Sequence, residues 1–504
     1  MKKQLIAALW ILGLSGPSVA AAADEASTRT ATVPSLPAET VRSDFALLYQ
    51  TLQEAHYDLY AHRAKADYDG YYQALLATIR GPMDATAVAI LFQKFTAYGR
   101  IGHARIDAPI AAFVTHLQGG GRFLPLFIRV DGDRVMLTAT ADEGGSLQAG
   151  AEIIAIDEVP IRRVLDRLAA YVSAERPYMA HAQMEESFPA LLWLDRGSVD
   201  AVKVTAKIAG AAVTVRVSAL TFEQRQALVA KFPTPESPVD FATREYRVLG
   251  GGVAYLRPGP FFNTEVAGDG AAPSYEASAF HRFIDDSFGK MIASGVTDLL
   301  IDLRNNPGGD NSFSDPMIAW FADRPFRFTS SFMLKASAAT KADYARRRAG
   351  GAPIDPDFQR RMEAEERQPN GVRYRYELPM VAPRPQPRFR GRVWLLVNRH
   401  SYSNAASVAA LVQDYGFGEV IGEETADVAS NYASTQHFTL PGTGMIVAYP
   451  KSYFLRPNGN GAVAGVVPDF PIGPPRIASV GDPTLEAAME IVRSRPRQTS
   501  NSID

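Results

Sequence analysis

The chain reads as a multidomain α/β protein, with a helical N-terminal segment, a β-rich middle and a C-terminal α/β core. Three patterns predict this. Apolar residues recur at helical spacing before residue 100, short strands and turns alternate between 122 and about 218, and apolar strand-like runs alternate with helical stretches beyond 246. The last order is that of a sheet with crossover helices. A length of 504 residues itself implies more than one domain.

The N-terminus, Met1-Lys-Lys-Gln, is positively charged and runs into apolar residues 5 to 14, then Ser18-Val-Ala-Ala-Ala-Ala23. This is the pattern of a signal peptide over 1-23, cleaved between Ala20 and Asp24. The apolar run is too short to span a bilayer and no other stretch is long enough, so export to the periplasm or full secretion is expected, with no stable membrane insertion after cleavage. Cysteine is absent, so disulfides play no part. A net charge of −2 with interspersed signs offers no basic face to nucleic acid. No His-Glu-Xaa-Xaa-His or paired-histidine spacing occurs, so neither a metal nor a cofactor is expected.

The helical domain, 35-110, is marked by Val41, Phe45, Leu48 and Leu52. A second run from 68 to 79 is broken at Pro82, and a third starts at Asp84 and ends near Tyr98. In the middle domain, 122-220, Asp131-Gly-Asp133 sits between two strand-like runs as a hairpin signal, and 178 to 194 reads as a helical insertion. A linker covers 221-245, with prolines near its end. The core, 246-480, has strands at 253–256, 298–303, 393–397 and 419–421, helices at 277–293 and 404–413, and a charged, proline-rich insertion at 338-390. Residues 481-504 form a tail.

Two places carry chemistry. Ser403 follows an apolar strand and opens an alanine-rich helix, where a serine can be either an N-cap or an exposed nucleophile whose oxyanion meets backbone amides. Asp302-Leu-Arg-Asn-Asn-Pro-Gly-Gly309 ends another strand in a turn whose glycines leave backbone amides unobstructed.

These segments resemble the tail-specific (C-terminal-processing) serine peptidases, the S41-like family. Asp302 to Gly309 looks like the family signature, and Ser401-Tyr-Ser-Asn-Ala-Ala406 resembles its nucleophile segment. Gly422-Glu-Glu-Thr425, Phe438-Thr-Leu-Pro-Gly-Thr-Gly444 and Gly465-Val-Val-Pro-Asp469 follow in the family's order. The resemblance covers nearly the whole mature chain and implies a core of the ClpP/crotonase-like kind. Leu147-Gln-Ala-Gly-Ala-Glu-Ile-Ile-Ala-Ile-Asp157 resembles the carboxylate-binding loop and next strand of a PDZ domain. That likeness makes 122-220 PDZ-like, with Gly150, Ala151, Glu152 and Ile153 as peptide-binding residues or as parts of a purely structural sheet.

The helical segment is similar to that of the branch containing interphotoreceptor retinoid-binding protein and the tricorn core protease. That branch draws a histidine from a Gly-His element, which stands here as Gly99-Arg-Ile-Gly-His-Ala-Arg-Ile106. The resemblance therefore implies Ser403 as nucleophile and His103 as base, with oxyanion donors at Asn404 and at Gly308 or Gly309. The Ser-Lys dyad of bacterial relatives would need a lysine near Val428, and none lies between Lys341 and Lys451. His400 and His437 are rival bases. Glu423, Glu424 and Asp469 are candidates for the acid that orients the imidazole. The chain departs from the family at Ile101, where Asp is usual, and at Ala406, where Glu is common. The expected activity is hydrolysis of peptides or of unfolded, C-terminal protein segments. The alternatives are a degenerate member that binds peptides or an apolar ligand, and hydrolysis of a non-peptide ester or amide.

Overall fold

The computed structural model describes residues 35–233, 243–265, 276–351, 354 and 356–495. The expected signal peptide lies outside them. The described residues form two compact units. One gathers everything up to 233 with 331–377 and 431–454, and the other takes the remainder.

The second unit is built on a six-stranded sheet whose spatial order follows the chain. Its strands are β1 (Glu245–Leu249), β2 (Val253–Arg257), β3 (Asp298–Asp302), β4 (Arg392–Val397), β5 (Glu419–Gly422) and β6 (Phe470–Pro471). β1 runs antiparallel to β2, and every later pairing is parallel. Parallel strands are covered on both faces, which is why β2, β3 and β4 read as nearly unbroken apolar runs. Leu256, Ile301, Leu395 and Val397 pack against helices α1 (Ser278–Ser294), α2 (Asn311–Ala319) and α3 (Asn404–Tyr415) through Phe280, Phe288, Phe313, Val408 and Leu411. The opposite face, Tyr255, Leu300, Trp394 and Ile421, is covered by Leu485, Ala488 and Met489 of α4 (Pro483–Ser494). The expected C-terminal tail is therefore largely a packed layer of the fold.

In the first unit, helices Ala38–Ala55, Lys65–Leu76 and Ala85–Ala97 share an aromatic core in which Phe45 stacks on Phe92 and both Phe45 and Tyr68 meet Phe95 edge-on. Asp84 starts the third helix as expected, its carboxylate accepting from the Ala87 amide at 2.9 Å. Strands Ile128–Asp131, Arg134–Leu137, Glu152–Ile156, Ala201–Ile208 and Ala211–Ser218 follow one another across an antiparallel sheet. Helices Ile161–Leu168 and Pro177–Arg196 contribute Val164, Leu165, Phe188 and Leu191 to its core. The expected linker opens as a helix, Phe222–Lys231, with a capping box between Thr221 and Gln224.

The same unit contains a four-stranded sheet in the order Arg373–Arg375, Ser331–Lys335, Ile446–Leu455, Asn431–Thr439. The expected insertion, 338-390, is thus divided. Its helices Ala338–Ala349 and Pro356–Glu366 belong to this first unit, while 378–390 returns to the second. On strand Ile446–Leu455 the Lys451 ammonium is wholly buried and donates to the Glu365 carboxylate and the Tyr344 hydroxyl.

Candidate active site

The turn after β3 is held from beneath by charge. The Arg304 guanidinium donates to Asp302 at 2.7 Å and forks onto Asp482 at 2.8 and 2.7 Å. Asp302 also accepts from the Tyr255 hydroxyl at 2.8 Å. Asp482 in turn caps α4 by accepting the Leu485 amide at 3.0 Å. The Asp-Leu-Arg part of the motif is therefore a buried bracket for the turn. The following residues stitch the turn to the loop leading into α3. Asn305 and Asn398 exchange hydrogen bonds of 3.0 and 2.7 Å, Ser401 donates to the Leu303 carbonyl at 2.8 Å, and the Tyr402 amide donates to the Asn306 carbonyl at 2.9 Å.

These bonds present Ser403 at the junction of β4 and α3. It is half-exposed, with φ 51° and ψ −121°. A non-glycine residue held there costs on the order of 1–3 kcal/mol, and such strain persists only where the surroundings impose it. Its hydroxyl makes no capping bond to the helix. Ser403 thus stands at the N-cap position of α3 without capping it through its side chain, in a strained strand-to-helix turn.

Gly308 lies directly against this turn. A Cβ there would sit 2.6 Å from the Asn404 amide nitrogen and 2.7 Å from the Ser403 Cβ, at φ 88°. The Gly308 N–H is not available to an oxyanion, because it donates to the Asn306 side-chain oxygen at 2.9 Å. Among the described residues, the N–H groups of Gly309 and Asn404 have no hydrogen-bond partner. Gly309, at φ 134°, is pressed so closely to the Phe261 carbonyl that no side chain fits.

The Ser403 N–H donates to Asp427 Oδ2 at 2.6 Å. Asp427 was not among the residues picked from sequence. Its only signal is its place three residues past the Gly-Glu-Glu block, in the segment where a lysine would stand in the Ser-Lys arrangement. Val428 occupies that place and is buried. Ala406 is also fully buried in α3.

The remaining candidates fall as follows. His103 belongs to the first unit, whereas Ser403 belongs to the second. The His103 side chain is buried, and burial, aided by the Arg105 guanidinium, lowers its pKa to about 4. Its loop is fastened by the Gly102 amide donating to Glu175 at 3.0 Å and by the Arg105–Ala448 bridge. His400 lies in the loop before Ser403, its amide donating to Asn398 at 3.1 Å. His437 sits on a strand of the first unit opposite Ala448, its pKa lowered chiefly by burial. Glu423 pairs with Arg399 at 2.8 Å and Glu424 accepts the Gly465 amide at 3.1 Å. Asp469 accepts the Val420 amide at 2.8 Å and Gln413 at 3.1 Å. All three carboxylates thus hold loops together. Gly150 and Ala151 spend their amides on Leu137 and Gln148, and Glu152 and Ile153 are paired on both sides. At residues 150–153 these backbone groups are thus engaged within the sheet itself. No cluster of potential metal ligands occurs among the described residues, and none of their helices is long and apolar enough to cross a membrane.

No curated protein matches the chain. Residues 272–472 match the sequence profile of Peptidase family S41. Among solved structures, the chain is similar to mature CPAF at 14% identity and a TM-score of 0.57, over 90% of this chain and 96% of that one. It is likewise similar to mature CPAF complexed with lactacystin, at 15% identity and a TM-score of 0.57, over 91% of this chain and 97% of that one. At such identities the likeness is one of fold. Residues 272–472 are thus the part of the chain that is similar to Peptidase family S41.

Proposed function

We propose that the chain is an exported peptidase in which Ser403 is the nucleophile. The N–H groups of Gly309 and Asn404 form the oxyanion hole, and His103 is the base. The observation that carries this reading is the left-handed, non-capping Ser403 pressed against Gly308, with unpartnered amides on both sides of the contact. In the reaction, Ser403 Oγ attacks the scissile carbonyl carbon while its proton passes to the general base, the role assigned to His103 on its Gly-His element. The carbonyl oxygen becomes an oxyanion between the two N–H groups, each such donor being worth roughly 10²–10³ in rate. Collapse breaks the C–N bond as the base gives its proton to the leaving amine; water, giving a proton to the same base, then attacks the acyl-serine, and the C–O bond breaks as the proton returns to Ser403 Oγ. The assignment of His103 rests on its place in the Gly-His element of residues 99–106, and burial keeps its imidazole neutral at neutral pH.

Export rests on the charged, apolar and small-residue pattern of residues 1-23. The antiparallel sheet with its two covering helices supports a PDZ-like module, and the layered core supports a crotonase-like catalytic domain. In that module the exposed edge strand Ala211–Ser218 is the place for a peptide to pair. A fluorophosphonate probe tests the nucleophile. Labelling and casein hydrolysis by the wild type, both abolished in Ser403→Ala, are expected. Labelling of wild type and variant alike would remove Ser403 from the chemistry. A wild type inert to both probe and substrates would favour a binding protein instead.

A further inference from the structure

We infer that Asp427 is a positioning residue of the hydrolytic reaction, one that holds the nucleophile's backbone in its left-handed conformation; this rests on Ser403 being the nucleophile. The bond from the Ser403 amide spans 24 residues and is 2.6 Å long, to a carboxylate that is almost fully buried. The other carboxylate oxygen accepts the Val428 amide at 2.9 Å, so the group cannot turn freely about its axis. The Asp427 segment is itself anchored. Its carbonyl accepts the Thr425 hydroxyl at 2.9 Å, and Thr425 exchanges bonds of 2.9 and 3.2 Å with Val466.

The chemistry of the contact fits positioning and not charge stabilisation. A carboxylate beside the nucleophile is the wrong sign for a developing oxyanion, so its electrostatic effect opposes the reaction. What it supplies is direction. With φ at 51° the Ser403 N–H is directed onto Asp427, and removing the carboxylate would take away that bond. The cheapest escape is rotation of the Ser403 backbone to an ordinary conformation. That rotation moves Oγ and, through the next peptide plane, re-aims the Asn404 N–H. One carboxylate thus sets both the attacking atom and one oxyanion donor.

The test compares Asp427→Ala and Asp427→Asn in the full chain, using labelled casein, a fluorophosphonate probe and thermal melting. Asp427→Ala is expected to lower kcat and Ser403 labelling about 30-fold or more, with KM changed less than about threefold. Asp427→Asn keeps one acceptor and is expected to recover at least about a tenth of wild-type kcat, with the midpoint of the acid limb unmoved. Should Asp427→Ala fail to fold, the asparagine variant alone decides. Wild-type labelling in Asp427→Ala would overturn the inference. So would an asparagine variant that is folded but inactive with a displaced acid limb, because Asp427 would then be exchanging protons. Ser403→Ala is assayed alongside. If it is inactive while Asp427→Ala is normal, only the positioning role falls; if it retains activity, the nucleophile assignment falls and takes the inference with it.

Discussion

Replacing Gly308 by alanine is the most direct probe of how closely the diglycine turn and Ser403, the proposed nucleophile, are matched. The added methyl would begin 2.6 Å from both the Asn404 nitrogen and the Tyr402 carbonyl oxygen, and 2.7 Å from the Ser403 Cβ. None of these neighbours is the far end of a flexible side chain. Two belong to the backbone that sets Ser403, and the third is bonded directly to its Cα. To reach even a tight contact the two loops must separate by roughly half an ångström, and alanine at φ 88° adds about 1–2 kcal/mol of conformational strain. A shift of that size at a reacting centre lowers kcat by on the order of 10²-fold. The loss of stability should be modest, because the turn is also fastened by Asn305, Asn306 and Ser401, away from the added methyl. The assay is steady-state hydrolysis with fluorophosphonate labelling, alongside a thermal melt. A Gly308→Ala enzyme that folds and turns over at the wild-type rate would show that the contact with Ser403 is not part of the catalytic geometry.

Further outcomes follow from buried titratable groups at two places. His103 is held down to about 4 by burial and Arg105, so the acid limb of kcat/KM should fall near that value and not near 6.5. A midpoint near 6.5, or one unchanged in a His103 variant with residual activity, would remove His103 as the base. In stability the sign is the same. The folded value is depressed, so the contribution is complete above about 6.5 and is lost as pH falls towards 4, amounting to about 3 kcal/mol that melts of His103→Gln should lack. For the buried pair in the first unit, Glu365→Gln leaves the Lys451 ammonium without its counter-charge and should cost about 3–5 kcal/mol near neutrality, with the Glu365→Leu, Lys451→Met double variant recovering most of it. Burial lowers the Lys451 pKa from 10.5 to about 8, so this residue's contribution rises as pH climbs through that window. A Glu365→Gln protein as stable as wild type at pH 7 would refute the pair's role.

The local elements were legible in the sequence and the long-range ones were not. β3, β4, α1 and α3 fall within a few residues of where apolar periodicity placed them, because burial on both sheet faces leaves few polar residues to blur the pattern. Ser403 and the glycines could be read because a strand, a turn and a helix follow one another without interruption. That the Gly308 amide is already taken by Asn306 could not be read, because it depends on one side-chain rotamer. Asp427 was missed for a similar reason, since nothing in Thr425-Ala-Asp-Val428 signals a contact 24 residues upstream. Strand Ser331–Lys335 was hidden because its partner, Ile446–Leu455, comes more than a hundred residues later.

That last pairing has a wider consequence. The chain leaves the first unit near 234, returns at 331, departs again at 377, and re-enters for 431–454 before its final exit. No single cut can release either half intact, and no contiguous gene fragment encodes one. Such threading delays many contacts until distant residues have been made, which points to slow folding. Evolution can therefore vary the protein's loops freely, but it cannot shuffle its halves as interchangeable modules.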